Sequence, residues 1–275
     1  MTASPLGIIA GKGLLPLKII TACKEQKRPF VVIAFRGQTD PTLVEGISHL
    51  WVTLGAIAEP LAYLKEVGAT ELVFAGALTR PSLRHIKFDK MAAQWIAKIG
   101  RKAFGDDGLL SGILERFEEE GFQIVSVQSI LHNLQVASGV FGRHSPSKRD
   151  EGDIERGIAV LQALGPLDVG QALVVEDGVI LSIEGAEGTD AMINRTKALQ
   201  KTPEGGVLIK IAKPQQSHRV DLPTIGPETA RKASQAGFRG IVIEANATLV
   251  LEKQAVIEIC NQAGMFFLGV DPGKK

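Results

Sequence analysis

Short apolar runs alternate with amphipathic stretches along the first half of the chain. Runs at residues 6–10, 30–35, 49–54, 71–75 and 123–127 predict strands. Helical periodicity predicts helices over about 14–27, 59–67 and 109–120, the last capped by Asp107. Strands that alternate with helices are typical of a parallel sheet. We therefore predict an α/β fold that begins with a Rossmann-like parallel-sheet domain over residues 1–131.

The alternation fades over residues 132–150 into a mixture of Ser, Gly, His and Pro, which predicts a connection between two domains. Beyond it, the pattern predicts helices over about 153–164, 190–199, 227–236 and 253–262, and strands over 172–176, 179–183, 206–212, 240–244 and 265–270. Asp177-Gly178, between the first two strands, favours a type I′ hairpin turn because both positions need positive φ. We predict that residues 151–275 form a catalytic C-terminal α/β domain with a mixed sheet.

Composition narrows the class of protein. The 275 residues carry 31 Lys and Arg against 30 Asp and Glu, so no net field attracts nucleic acid. Cys23 and Cys260 lie far apart in apolar helical patterns and are expected to be buried thiols. Residues 1–10 lack the features of a signal peptide, and no apolar run approaches the roughly 18 residues of a membrane span. We expect a soluble, cytoplasmic enzyme that binds no nucleic acid.

Two loops of the first domain are candidate binding sites. Gly11, Lys12 and Gly13 follow the first strand and precede the first helix, where backbone N–H groups can hold a phosphate. The third glycine of a dinucleotide fingerprint is replaced by Pro16, so a simple tight turn is the alternative. The second loop follows a later strand and could place a cation near an anion, or be an ordinary loop with a solvated arginine. It comprises Gly76, Ala77, Leu78, Thr79 and Arg80.

The second domain carries the densest chemistry. Glu184, Glu187 and Asp190 fall within seven residues, and their mutual repulsion predicts either full solvation or a bound Mg²⁺. Helix capping by Thr189 or Asp190 is the alternative. Lys210 and Lys213 end an apolar strand before the isolated acid Asp221, which is the combination of cations and carboxylate that phosphoryl transfer needs. The five histidines show no paired spacing, and zinc or triad chemistry is not expected.

Three segments, residues 10–16, 184–190 and 221–227, together resemble those of a known family. It is the LpxI-type family of UDP-2,3-diacylglucosamine pyrophosphatases, which serve lipid A biosynthesis in Gram-negative bacteria. The segment Asp-Leu-Pro-Thr-Ile-Gly-Pro at 221–227 is the most specific of the three. Motif order and chain length fit as well, so the resemblance covers nearly the whole chain.

The resemblance implies a Mg²⁺-dependent hydrolase of UDP-2,3-diacylglucosamine. Water would attack the α-phosphorus and release UMP and 2,3-diacylglucosamine 1-phosphate, called lipid X. It also implies two domains that close on the lipid, and transient contact with the inner-membrane surface. A homo-oligomer is a further candidate partner state. On this basis Asp221 is the expected catalytic carboxylate, whether as metal ligand or as base.

The remaining roles follow from the same reading. Metal ligands are expected among Glu184, Glu187, Asp190 and Asp221, and substrate contacts from Gly188, Thr189, Lys210 and Lys213 and from the two N-terminal loops. An NADP-dependent oxidoreductase, with Arg36 on the 2′-phosphate, and a non-catalytic nucleotide or lipid carrier stay open as alternatives.

Overall fold

The structure, a computed structural model, describes residues 4–79, 86–100, 106–214 and 220–273. It divides into two compact units, one of Met1–His132 with Ser217–Val220 and the other of Asn133–Gln216 with Asp221–Lys275. The first holds a parallel sheet and the second a mixed sheet, so the predicted fold class is confirmed.

The first unit is built on a five-stranded parallel sheet in the order β3-β2-β1-β4-β5. Every residue of the central strand β1 is buried, as expected for a strand with helices on both faces. The strands are β1 (Leu6–Ala10), β2 (Phe30–Phe35), β3 (His49–Val52), β4 (Glu71–Ala75) and β5 (Gln123–Ile124). The helices are α1 (Leu14–Glu25), α2 (Ala58–Glu66), α3 (Lys90–Ile99) and α4 (Asp106–Glu119). This order matches the first five strands of the Rossmann order 3-2-1-4-5-6.

The second unit is built on a six-stranded mixed sheet in the order β6-β13-β11-β9-β7-β8. Its strands are β6 (Gly139–Phe141), β7 (Ala172–Glu176), β8 (Val179–Ile183), β9 (Val207–Lys210), β11 (Gly240–Glu244) and β13 (Phe266–Val270). β9, β11 and β13 are parallel to one another, whereas β6, β7 and β8 pair antiparallel. The β7–β8 turn has positive φ at Asp177 (51°) and Gly178 (74°), as the dipeptide predicts.

The helices of the second unit cover this sheet. They are α5 (Lys148–Leu164), α6 (Thr189–Thr196), α7 (Pro227–Ala236) and α8 (Lys253–Gln262). Two short strands, β10 (Thr224–Ile225) and β12 (Leu249–Val250), form a separate parallel pair. This pairing fixes the backbone of the 221–227 segment, because the Leu249 N–H also donates to the Pro223 carbonyl at 2.8 Å.

Candidate active site

A buried lysine lies where β9 ends. Lys210 is the last residue of β9 and is only 5% exposed. Its Nζ donates to Thr189 Oγ1 at 2.8 Å and to the Thr224 carbonyl at 3.1 Å. β9, the start of α6 and β10 therefore converge on one ammonium group.

The turn that follows β8 brings Glu184 and Thr189 to the same place. Gly188 has φ 82°, a conformation that glycine adopts without strain, and α6 begins at the next residue. Thr189 Oγ1 donates to Glu184 Oε1 at 2.6 Å, and the Gln171 N–H donates to Glu184 Oε2 at 3.1 Å. The Glu184 carboxylate, 7% exposed, thus has a protein donor on each oxygen.

The other two acids of the turn have different partners. Glu187 Oε1 accepts hydrogen bonds from Arg195 of α6, at 3.1 and 2.7 Å, and these bonds hold the pKa of Glu187 below its ordinary value. Asp190 pairs with Lys232 of α7 at 2.7 Å, and this bond raises the pKa of Lys232. The repulsion expected among the three carboxylates is therefore relieved by protein donors.

Metal ligands were expected among Glu184, Glu187, Asp190 and Asp221, and the first three of these acids each have a protein hydrogen-bond donor. Among the described residues, no group of three or more His, Cys, Asp or Glu side chains could hold a metal ion. Each acid of the 184–190 turn is directed to its own donor instead, because a carboxylate beside a cation or hydroxyl is already stabilised there.

Asp221 lies at the start of the 221–227 segment and is half-buried. Downstream of it, Pro223 is buried, Thr224 and Ile225 pair with β12, and Pro227 opens α7 as its first residue. Proline is well suited to that helix position because its missing N–H would have no intrahelical partner. The segment that carries Asp221 is thus anchored by a strand pair and a helix start.

Lys213, three residues after the end of β9, has an acidic partner of its own. Its Nζ forms an ion pair with Asp168 at 2.5 Å, and the two side chains are 11% and 24% exposed. A carboxylate that already neutralises Lys213 weakens its attraction for a phosphate. Lys210, which has no ion-pair partner among the described residues, is the stronger candidate.

The two N-terminal loops are tied to each other. Lys12 and Ala77 exchange backbone hydrogen bonds at 2.8 and 3.2 Å, and Lys12 Nζ donates to Thr79 Oγ1 at 3.0 Å. A Cβ at Gly11 would come within 2.6 Å of the Ala77 carbonyl oxygen, so this close backbone contact alone requires the glycine. Leu78 and Gly76 belong to the same exposed loop, and Arg80 lies outside the described residues.

Comparison with known families decides the classification. The model of the LpxI N-terminal domain matches residues 5–134, and that of the LpxI C-terminal domain matches residues 137–268. The chain belongs to the LpxI family. The resemblance inferred from the three segments is therefore confirmed.

Within the LpxI family, a curated relative can be aligned over almost the full length. It is the UDP-2,3-diacylglucosamine pyrophosphatase LpxI of Caulobacter vibrioides, 37% identical over 279 residues that cover 98% of this chain and 99% of the relative. Among solved structures, N5-carboxyaminoimidazole synthase from Aspergillus clavatus matches 73% of this chain and 45% of its own, at 11% identity and a TM-score of 0.24. A similarity that low carries no argument.

Two features of this LpxI-family chain were not anticipated from its sequence. Thr224 contributes its backbone carbonyl to Lys210, and Gln38 pairs in both directions with the Thr79 backbone, at 2.9 and 3.1 Å. Neither residue type is distinctive, although Gln38 follows a strand end, where loops of parallel sheets gather.

Among the described residues, no helix is both long and apolar enough to cross a membrane.

Proposed function

We propose that this chain hydrolyses the diphosphate bond of UDP-2,3-diacylglucosamine. The supporting observation is its 37% identity, over 98% of its length, to an enzyme named for that reaction. In the finer form of the proposal, water attacks the α-phosphorus and the products are UMP and 2,3-diacylglucosamine 1-phosphate. The water oxygen then bonds to the phosphorus of UMP, the bond to the bridging oxygen breaks, and a proton of the water needs an acceptor.

Asp221 is our candidate for the group that activates this water. A carboxylate accepts a proton or orients a water only when its position is reproducible, and the segment after Asp221 is fixed by the β10–β12 pair.

Lys210 is our candidate for the cation that stabilises phosphate oxygens. Burial supports this role, because the field of a charge is weakly screened away from water and acts strongly on charge that develops in a transition state. Gly188 and Thr189, at the start of α6, would add the backbone N–H groups that helix N-termini present to anions.

Mg²⁺ is part of this proposal, and one protein carboxylate would help to bind it. Among the described residues, no cluster of three or more His, Cys, Asp or Glu side chains could hold the ion, and Glu184, Glu187 and Asp190 each have a separate protein donor. Mg²⁺ is commonly held by one or two carboxylates together with substrate phosphates, and Asp221 would be such a ligand if it acts on the water through the metal rather than as the base. When bound, the ion would neutralise charge on the diphosphate oxygens.

Hydrolysis in ¹⁸O-labelled water tests the reaction and its direction together. The purified protein, supplied with UDP-2,3-diacylglucosamine and Mg²⁺, should release UMP that carries the label, as measured by mass spectrometry. Label in the sugar phosphate would contradict attack at the α-phosphorus, and no UMP at all would contradict the proposed function. EDTA should abolish release and added Mg²⁺ restore it; full activity in EDTA would contradict the metal requirement.

A further inference from the structure

The hydrogen bonds around Thr189 have only one consistent direction. A threonine hydroxyl carries a single proton, and an ionised carboxylate can only accept. The Thr189 proton therefore goes to Glu184 Oε1 at 2.6 Å, and Lys210 Nζ donates to Thr189 Oγ1 at 2.8 Å. The chain runs from the ammonium to the hydroxyl to the carboxylate.

Both ends of this chain are anchored by the backbone. The Gln171 N–H donates to the second oxygen of Glu184 at 3.1 Å, and the Thr224 carbonyl accepts from Lys210 at 3.1 Å. Glu184, Thr189 and Lys210 are at most 9% exposed, so water cannot readily replace these contacts.

Lys210 has one N–H bond for which the described residues provide no acceptor. An ammonium group has three N–H bonds, and described residues accept two of them, through Thr189 and Thr224. A buried N–H without an acceptor is costly, so a site that leaves one available is suited to an anionic ligand. In the reaction proposed above, that ligand is a phosphate oxygen.

We propose that Glu184 is a positioning residue rather than a metal ligand. It orients the Thr189 hydroxyl, and Thr189 together with the Thr224 carbonyl holds the Lys210 ammonium so that its third N–H meets a phosphate oxygen of the substrate. This inference rests on the proposed function, because it assigns the substrate's diphosphate as the anion.

Two substitutions test this hydrogen-bond chain, one at the Thr189 hydroxyl and one at the Glu184 carboxylate. Thr189→Val keeps the side-chain shape but removes the hydroxyl, which deprives Lys210 of one acceptor. Glu184→Gln places an amide N–H against either the Thr189 hydroxyl or the Gln171 N–H, whichever way the amide is turned. Each should lower kcat/KM by about 10- to 100-fold, in the range expected when a buried polar group loses its partner. Thr189→Ser, which retains the hydroxyl, should stay within about threefold of wild type.

Two further readouts distinguish positioning from metal binding and from simple destabilisation. The dissociation constant of UDP-2,3-diacylglucosamine, measured in EDTA by calorimetry, should rise about tenfold in both variants, because a phosphate contact is lost without any metal. The Mg²⁺ concentration for half-maximal activity should not change. The double variant should be no worse than either single one, because both act through the same hydrogen-bond chain.

The protein offers a matched control residue for each of the two substitutions. Thr196 is a fully buried hydroxyl on the same helix, bonded to Ser182 and to the Met192 carbonyl, and Thr196→Val should lower stability without changing kcat/KM. Glu176 is a buried carboxylate that accepts hydrogen bonds from the Lys201 and Thr202 backbone N–H groups and from the Thr202 hydroxyl. It is the last residue of β7, whereas Gln171, the partner of Glu184, precedes the first residue of that strand. Glu176→Gln should behave like Thr196→Val.

The possible results distinguish failure of the proposed function from failure of the positioning role. Wild type is assayed first, and absence of UMP release would overturn the proposed function and this inference with it. If wild type is active, an unchanged kcat/KM in Thr189→Val, or a raised Mg²⁺ requirement in Glu184→Gln that excess Mg²⁺ restores, would overturn the positioning role alone. Should Thr189→Val not fold, Glu184→Gln with its EDTA binding measurement decides.

Discussion

Among single residues, Asp221 differs from the acids of the 184–190 turn in the way its backbone is held. Those three acids lie between the end of β8 and the first turn of α6 and have hydrogen-bond partners on their side chains. Asp221 precedes a segment fixed by strand pairing and by two buried prolines, Pro223 and Pro227. Replacing its carboxylate should therefore change the chemistry of the site more than its fold.

We expect Asp221→Asn to lower kcat by about 10²- to 10⁴-fold, the usual contribution of a general acid or base. The dissociation constant for the substrate and the thermal midpoint should stay close to wild type, because the amide keeps the side-chain volume. Steady-state kinetics, calorimetry and thermal unfolding measure the three quantities. Asp177→Asn, which removes a carboxylate at a distant hairpin turn, is the control and should keep full turnover. Asp221→Asn turnover within about tenfold of wild type, roughly 1.4 kcal/mol of barrier, would exclude this role.

The sequence locates these acids but does not reveal their partners. Lys232, which pairs with Asp190, is 42 residues away, and Gln171, which binds Glu184 through its backbone, has no sequence signature at all. Such partners are fixed only when helices and strands pack. The positions of the acids can therefore be predicted from the sequence, whereas the donors that direct them depend on packing that the sequence does not encode locally.

Among the elements, α5 shows how one helix start can organise its surroundings. Ser147 and Asp150 form a capping box, and the Arg239 guanidinium donates to Asp150 at 2.6 Å and also to Asp153. Asp153 in turn accepts the N–H groups of the β7–β8 turn at Asp177 and Gly178. A buried charge cluster thereby joins α5, the hairpin and the strand region before β11.

This cluster predicts a pH-dependent contribution to stability. Burial alone would raise the pKa of Asp150, but hydrogen bonds from Ser147 and Arg239 outweigh it and hold the pKa below its ordinary value. A lowered folded-state pKa stabilises the fold above the unfolded value, near 4, and the effect is lost as pH falls through the folded value. Asp150→Asn should reduce the free energy of unfolding at pH 7 by about 2–4 kcal/mol, because Arg239 loses a buried partner.

Urea unfolding of wild type and Asp150→Asn between pH 7 and pH 3 tests this expectation. The difference between the two should begin to shrink below about pH 4, where the carboxyl of unfolded wild type becomes protonated, and should disappear only below the lower pKa of the folded state. Asp177→Asn, at an exposed pair with Arg149, should change unfolding much less at any pH. A difference that is constant over the whole range would show that the charge of Asp150 is not involved.

Element prediction succeeded where the pattern is local. β1, β2, β4, α7, β11 and α8 occupy the predicted residues, because apolar periodicity and adjacent turn residues define them. β6 was missed, since its three residues lie in a polar stretch and form a strand only by pairing with β13, about 126 residues later. α3 was missed although Asp89 caps it and Ala92 and Trp95 are buried on one face, so its signal was present but not used.

For the whole molecule, the important property is that each unit has its own core. Leu64 belongs to the cluster packed around the parallel sheet, and Ile193 belongs to one packed on the mixed sheet. Both side chains are fully buried. The two clusters share no residue, which is the usual mark of separately cored domains.

Leu64→Ala and Ile193→Ala should each cost about 2–5 kcal/mol of local stability, because truncation leaves a cavity in a packed core. Hydrogen exchange followed by mass spectrometry should show faster exchange confined to the unit that carries the substitution. Leu167→Ala, at a side chain that is 70% exposed, serves as a control and should have little effect. Equal acceleration across both units would show that the chain unfolds as one cooperative body.

The hydrogen bonds that join Lys12 to Ala77, and Gln38 to Thr79, would affect the kinetics of binding if the substrate contacts these loops, as the sequence predicts. Loops that are already ordered surrender little conformational entropy when a ligand arrives, so association there proceeds without a slow folding step. The same bonds slow the exchange of the amide protons of Lys12, Ala77 and Thr79 relative to those of an ordinary surface loop. We therefore expect the backbone of these loops to be set during folding, and to change little if the substrate contacts them.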